Sequence, residues 1–117
     1  MRKVICYENA LAVGDHFLLE GSVKWDPEKR FPVVWNFSYE LHSLLGWATD
    51  LQREEAGAIT ADIEFIDLTN AKLVEDEDLP VTFEGNEVRE EMHDGVREIS
   101  NVKVRGLSVV LQPAVPW

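Results

Sequence analysis

Residues 41–66 read LHSLLGWATDLQREEAGAITADIEFI, and the fold turns on whether their first half is helix or strand. Leu41, Leu44, Leu45, Ala48 and Leu51 fall at the i, i+3, i+4, i+7 spacing of an amphipathic helix. Leu45, Trp47, Thr49 and Leu51 also alternate as they would on a strand, and Gly46 would weaken a helix by about 1 kcal/mol relative to alanine. The second half decides between them. Glu55-Ala56-Gly57-Ala58 is a turn-like break, after which Ile59, Ala61, Ile63 and Phe65 alternate with Thr60, Asp62, Glu64 and Ile66. Two alternating runs around a glycine-containing turn predict a β-hairpin.

Strand signals continue on both sides of the hairpin. Upstream, Val4-Ile5-Cys6-Tyr7 reads as a first strand. Phe17, Leu19, Val23 and Trp25 share one face of a second, with Gly21 as a bulge or close approach. Asp26-Pro27 breaks the chain into a charged loop through Arg30, and Val33 to Phe37 gives a third strand. Downstream, residues 69–80 read as an acidic loop ending at Pro80, and Val81 to Phe83 as a short strand. Gly85-Asn86 reads as a turn, Glu87 to Asp94 as one helical turn or a loop. Ile99, Val102, Val104, Leu107, Val109 and Leu111 predict a long last strand over about 99–112, kinked or bulged at Gly106. The expectation is a mainly β fold: a small barrel or sandwich of about six to eight strands, with one short helix placed in 38–52 or 86–94 if there is one. Trp25, Trp35, Trp47 and Phe65 are expected in its core.

At 117 residues the chain fits one domain, residues 1–117, long enough to bury a core. A hydrophobic share of 45% argues against disorder. Nothing resembles a signal peptide, because Glu8 and Asp15 interrupt any apolar stretch behind Arg2 and Lys3, and no run approaches the ~18 apolar residues of a membrane span. Cys6, the single cysteine, reads as a small core residue in a reducing compartment. The net charge is −11, and residues 75–98 hold ten acids against Arg89 and Arg97, so that segment carries −8. Phosphate contacts reward the opposite sign, so direct nucleic-acid binding is disfavoured.

No cofactor or metal motif is present: there is no GxxxxGK[ST], GxGxxG, HExxH, CxxC or DxDxDG, and the three histidines are scattered. Glu75, Asp76, Glu77 and Asp78 could in principle hold a divalent cation, but consecutive side chains point apart, and a solvated loop is the better reading. Asp62 and Glu64 share the polar face of a strand. Trp117, after Val115 and Pro116, either anchors into a partner or folds back on its own domain, tryptophan being enriched among binding hot spots.

Two stretches together resemble the tailed-phage prohead maturation proteases. The first is Pro32-Val33-Val34-Trp35-Asn36-Phe37, followed by Leu45-Gly46-Trp47-Ala48-Thr49-Asp50-Leu51, Glu54-Glu55-Ala56-Gly57 and Ala61-Asp62-Ile63-Glu64-Phe65, similar to that family's central hairpin. The second, Val104-Arg105-Gly106-Leu107-Ser108-Val109-Val110 and then Pro113, is similar to the strand that carries its nucleophilic serine. The resemblance implies Ser108 at the nucleophile position. Where the family's histidine would follow Asn36, however, this chain has Phe37, which cannot take a proton. His42 is the nearest substitute. The resemblance therefore implies the fold with its catalytic apparatus lost: a non-catalytic head-associated subunit (decoration, connector or accessory) in the virion or the bacterial host cytoplasm. Its partners would be other phage structural proteins or copies of itself. Two alternatives stand beside it. One is an acidic anti-defence inhibitor using Glu75–Asp78 in a partner's basic groove. The other is a serine protease using Ser108 and His42.

Overall fold

A computed structural model describes residues 1–12 and 15–111. Among them the chain forms β1 (Arg2–Tyr7), β2 (Leu11–Ala12), β3 (His16–Leu18), β4 (Val23–Lys24), β5 (Phe31–Trp35), β6 (Leu44–Arg53), β7 (Ala58–Phe65), α1 (Leu68–Asp76), β8 (Val81–His93) and β9 (Val96–Val109). One-turn 3-10 helices occupy Leu41–Ser43 and Glu55–Gly57. All the strands belong to one sheet. β3 and β4 run parallel to β9 in successive registers, so together they act as one interrupted strand, and the sheet counts as eight strands curled into a half-barrel. The mainly β expectation holds.

The central hairpin is present. β6 and β7 pair antiparallel, Gly46 opposite Phe65 and Arg53 opposite Ile59, and β1 adds antiparallel to the far side of β7. Asp62 and Glu64 point outward as expected. The buried residues of β6 are Gly46, Ala48 and Leu51, with Leu45 packed at the core margin and Trp47 outside it, because a bulge at Asp50, φ +51°, reverses the phase partway along.

β9 organises the rest. One edge pairs with β8 along nearly its whole length; the other takes β3, β4 and β5 in turn, all parallel. Its buried residues Ile99, Val102, Val104, Leu107 and Val109 change parity twice. Each change coincides with an extra residue opposite β8, Ser100 at the first and Arg105 at the second. The bulge expected at Gly106 thus falls beside it, and Gly106 has its own reason: the Tyr39 ring lies where a Cβ would be. Leu111, expected inside, is exposed. The buried faces of β1 and β3 to β9 enclose one core that includes the fully buried Phe83 and Leu107 and is closed by Val74 of α1. Cys6 is buried there, and its thiol is pushed up by burial, then by the Glu8 charge.

Several expectations are overturned. Residues 69–80 are not a loop: α1 begins where the Asp67 side chain accepts the Thr69 N–H at 2.8 Å. The one α-helix is therefore in neither 38–52 nor 86–94. Residues 84–93 continue as strand, since glycine and asparagine at 85–86 accommodate register shifts rather than a reversal; the turn comes at Asp94-Gly95, both at positive φ. The run from Phe17 to Trp25 is broken by a turn at Gly21, φ +76°, so Leu18 and Val23 face the core. Trp25 and Phe65 pack only at the core margin. Trp47 lies on the outer surface with the Arg30 guanidinium 3.9 Å above its ring, because Ala48 takes the inward position. Trp35 ends β5 and is exposed.

Candidate functional site

A concave, mostly apolar feature lies where α1 crosses the end of the half-barrel. A groove of about 470 Å³ is walled by Trp35, Leu45 and Val109 from the strands, His42 and Ser43 from the 3-10 turn, and Asn70, Leu73, Val74 and Leu79 from the helical segment. Its position follows from pairing. Trp35 and Val109 are partners in the parallel β5–β9 ladder, and the Ile66 N–H reaches the Leu45 carbonyl at 2.9 Å, which turns the chain from β7 into α1. The helix has too few apolar residues to cover this end: Val74 alone is buried, while Leu68 and Leu73 are exposed. Leu41 and Ile66, on the same walling segments, are exposed too. An apolar groove edged by exposed leucines and a tryptophan is the kind of surface that binds protein.

Next to it, on the other side of the sheet, lies Ser108. It is fully buried, opposite Val34 on one side and Thr82 on the other. Residues 36–43 form a strap beside it. Asn36 and Phe37 both take positive φ, +49° and +61°, which turns the Phe37 N–H onto Ser108 Oγ at 2.8 Å. The strap is tied by the Ser43 hydroxyl donating to Ser38 Oγ at 2.9 Å and by Tyr39 on Gly106, with the Arg105 guanidinium 4.9 Å from the Tyr39 ring. His42 lies at the far end of the strap, largely exposed, with Nε2 3.0 Å from Glu40, and shares no hydrogen bond with Ser108. The two residues considered for nucleophile and base are thus within one structural neighbourhood but are not coupled. Ser108 serves the strap as a hydrogen-bond acceptor. Ser108→Ala is expected to lower stability by about 1–3 kcal/mol in urea unfolding, the cost of an unpaired buried amide. A fluorophosphonate probe is expected to leave Ser108 unlabelled in the native protein. Labelling would mean that the strap opens and that the protease reading must be restored.

Glu75, Asp76 and Glu77 are exposed around the C-terminal end of α1, where carboxylates oppose the helix dipole, and Asp78 Oδ1 meets Lys3 Nζ at 3.3 Å. They do not converge on a point, and among the described residues no group of three or more acids, histidines or cysteines could hold a metal ion. Trp117 lies outside the described residues. No described helix is long and apolar enough to cross a membrane.

A third polar cluster is structural. Glu8, just past β1, is 1% exposed, yet its carboxylate accepts from Arg53 Nε at 2.7 Å, Arg53 Nη2 at 3.2 Å and the Val23 N–H at 3.0 Å. Arg53 Nη2 also donates to the Val23 carbonyl at 2.6 Å, and the guanidinium sits 4.9 Å from the Trp25 ring. Burial would raise the Glu8 carboxyl, but the Arg53 and backbone hydrogen bonds outweigh it and hold Glu8 below its ordinary range. The ion pair staples the ends of β1 and β6 to β4. Nothing in the sequence marks it, since a lone acid after an apolar run is indistinguishable from a surface glutamate.

No family model matches the chain, and neither a curated protein nor a solved structure matches it.

Proposed function

We propose that this chain works by protein–protein contact through the apolar groove between α1 and the β5–β9 strand ends, as a non-catalytic head-associated subunit of a tailed phage. The observation that carries the contact function is the groove itself: Trp35 and Leu73 stand exposed at its edge, where a monomer gains nothing from them. The phage assignment is supported by the way the two resembling stretches meet. Residues 45–65 form the hairpin, and Phe37, at the family's histidine position, hydrogen-bonds Ser108, at its nucleophile position. A phenyl ring in that place and a buried, backbone-bonded hydroxyl fit a scaffold kept for assembly.

Density-gradient sedimentation of a lysate, with mass spectrometry across the fractions, tests the reading. The native chain is expected to band stoichiometrically with assembled particles, and Leu73→Asp to reduce that banding at least tenfold while leaving the fold intact by circular dichroism. An exposed position tolerates the aspartate, whereas a contact surface would have to bury its charge unpaired. Recovery beside a host enzyme, with none in particles, would overturn the head-associated role and turn attention to the carboxylates of Glu75, Asp76 and Glu77. Equal banding of the variant would remove the groove from the function.

A further inference from the structure

We propose that the free edge of β8 pairs with the same edge of a second copy, antiparallel across a two-fold axis at Glu90, so that two half-barrels join into one continuous sheet. The surface lies apart from the groove, and the inference does not rest on it. Among the described residues β8 has a strand partner on one side only, β9, and every residue from Asn86 to His93 is exposed. Such an edge presents a row of unpaired backbone groups. Which groups it presents follows from the turn. Asp94 and Gly95, both at positive φ, make a two-residue hairpin loop whose closing pair, His93 and Val96, is hydrogen-bonded. Alternation then turns the backbone groups of Glu91 and Arg89 toward β9, where the Ser100 hydroxyl donates to the Arg89 carbonyl at 3.3 Å. Met92, Glu90 and Val88 turn theirs outward. The regular stretch ends at Val88, because Glu87 takes a φ of +55° and its carbonyl accepts from the Asn101 amide at 2.8 Å.

The side chains select the occupant and the register. Val88-Arg89-Glu90-Glu91-Met92 is its own complement when the second strand runs antiparallel. About Glu90, Val88 falls opposite Met92 of the partner subunit and Arg89 opposite Glu91 of the partner subunit, each twice. Val88 and Met92 are 38% and 63% exposed, apolar area that the monomer leaves in water. Arg89 has no ion-pair partner among the described residues. Glu91 lies opposite Glu98 of β9, a like-charge pair with His93 Nε2 at 3.1 Å from one and 3.8 Å from the other. The second copy's arginine brings a cation to that site. The axial Glu90 carboxylates are each held by Arg97 of their own chain. Neighbouring registers fail: an axis at Arg89 sets arginine against arginine, and an axis at Glu91 sets glutamate against glutamate. A basic foreign strand would satisfy Glu91 but oppose Arg89, whereas a second copy meets both.

Sedimentation velocity of the full chain tests this over about 10 μM to 1 mM, the range of small transient interfaces. Salt at about 0.15 M, with a Debye length of about 8 Å, screens the repulsion between two chains of net charge −11. The expected result is a monomer–dimer equilibrium that Arg89→Glu and Glu91→Arg each weaken at least tenfold. The double variant Arg89→Glu/Glu91→Arg restores it, because the same pair re-forms with its charges exchanged. Leu73→Asp, in the groove, leaves it unchanged. A chain that stays monomeric at the top of that range would overturn the proposal. So would a dimer indifferent to the single substitutions or lost in Leu73→Asp, since its contact would lie elsewhere. A double variant as weak as the singles would overturn the register at Glu90 and the proposal with it.

Discussion

Arg53→Met lowers the unfolding free energy by about 3–5 kcal/mol, a large share of the ~5–15 kcal/mol that holds a domain folded. Methionine keeps an apolar stem against Trp25, so the loss is electrostatic: a carboxylate 1% exposed is left with the Val23 and Gly21 amides and no counter-charge. The pH dependence separates this from a packing defect. Glu8 has a folded-state pKa below its ordinary 4.5, so its contribution in the native protein is complete above that value and is lost as the pH falls through the folded pKa. In the variant the burial that Arg53 had outweighed dominates, the carboxyl pKa rises, and acid relieves the uncompensated charge. Urea unfolding at pH 7 and at pH 4 should therefore show a gap between native and variant that narrows in acid. Glu8→Gln, which keeps the shape and removes the charge, is expected to cost less at pH 7, about 1–3 kcal/mol. A loss under 1 kcal/mol for Arg53→Met at pH 7 would show that the ion pair contributes little beyond what water supplies.

The second large effect is at Gly57. Two terms act there: a positive φ of +80°, and a Cβ that would overlap the Glu8 carbonyl oxygen. The Glu8 backbone cannot withdraw, because its N–H is bonded to the Gly57 carbonyl at 2.8 Å and its side chain is fixed by Arg53. Gly21 provides the control, with a similar φ of +76° and nothing within 4 Å of an added Cβ. Gly21→Ala should cost about 1–2 kcal/mol, the backbone term alone. Gly57→Ala should cost about 3 kcal/mol or more, the excess measuring the clash. At about 4 °C per kcal/mol the two Tm values should differ by several degrees in calorimetry. Equal Tm values would mean that the β6–β7 turn and the end of β1 are free to move apart.

The hairpin at the centre of the fold was legible because β7 alternates without interruption from Ile59 to Phe65, which leaves no other period for it. The misread elements are those where a bulge resets the phase. β6 carries one at Asp50, so Trp47 appeared to point inward while Ala48 in fact does. β8 has register shifts on both sides of Arg89, and its outer residues are exposed on both faces, so no alternation survives to mark residues 84–93 as a strand. The helix was missed for a different reason. One buried residue gives no stripe, and the acids at its C-terminal end contradict the dipole preference; the Asp67 cap was its only clear local signal. The groove was not legible at all. Trp35, Leu45, Leu73 and Val109 come from four separate segments, and each is an ordinary apolar residue whose exposure depends on how little the helix covers. Ser108 was found through a resemblance, but its burial under residues 36–43 depends on the positive φ at Asn36 and Phe37, which no side-chain pattern announces.

The position of β9 also dictates the order in which the molecule can come into being. β6–β7 and β8–β9 close between near neighbours in the chain, but β3, β4 and β5 obtain parallel partners only from β9, and His16 pairs with Arg97 across 81 residues. Closing loops of that length gives slow, millisecond-to-second folding, characteristic of high contact order. On a ribosome, β5 can pair with β6 as soon as that strand emerges, but β4 has no ladder to join and β3 only the two-residue β2, so the apolar residues Leu18 and Val23 would stay open to chaperones until the β9 segment clears the exit tunnel. A message cut short before residue 96 would then yield a chain with the antiparallel β1–β7–β6–β5 ladder but no partner for β4 or β8.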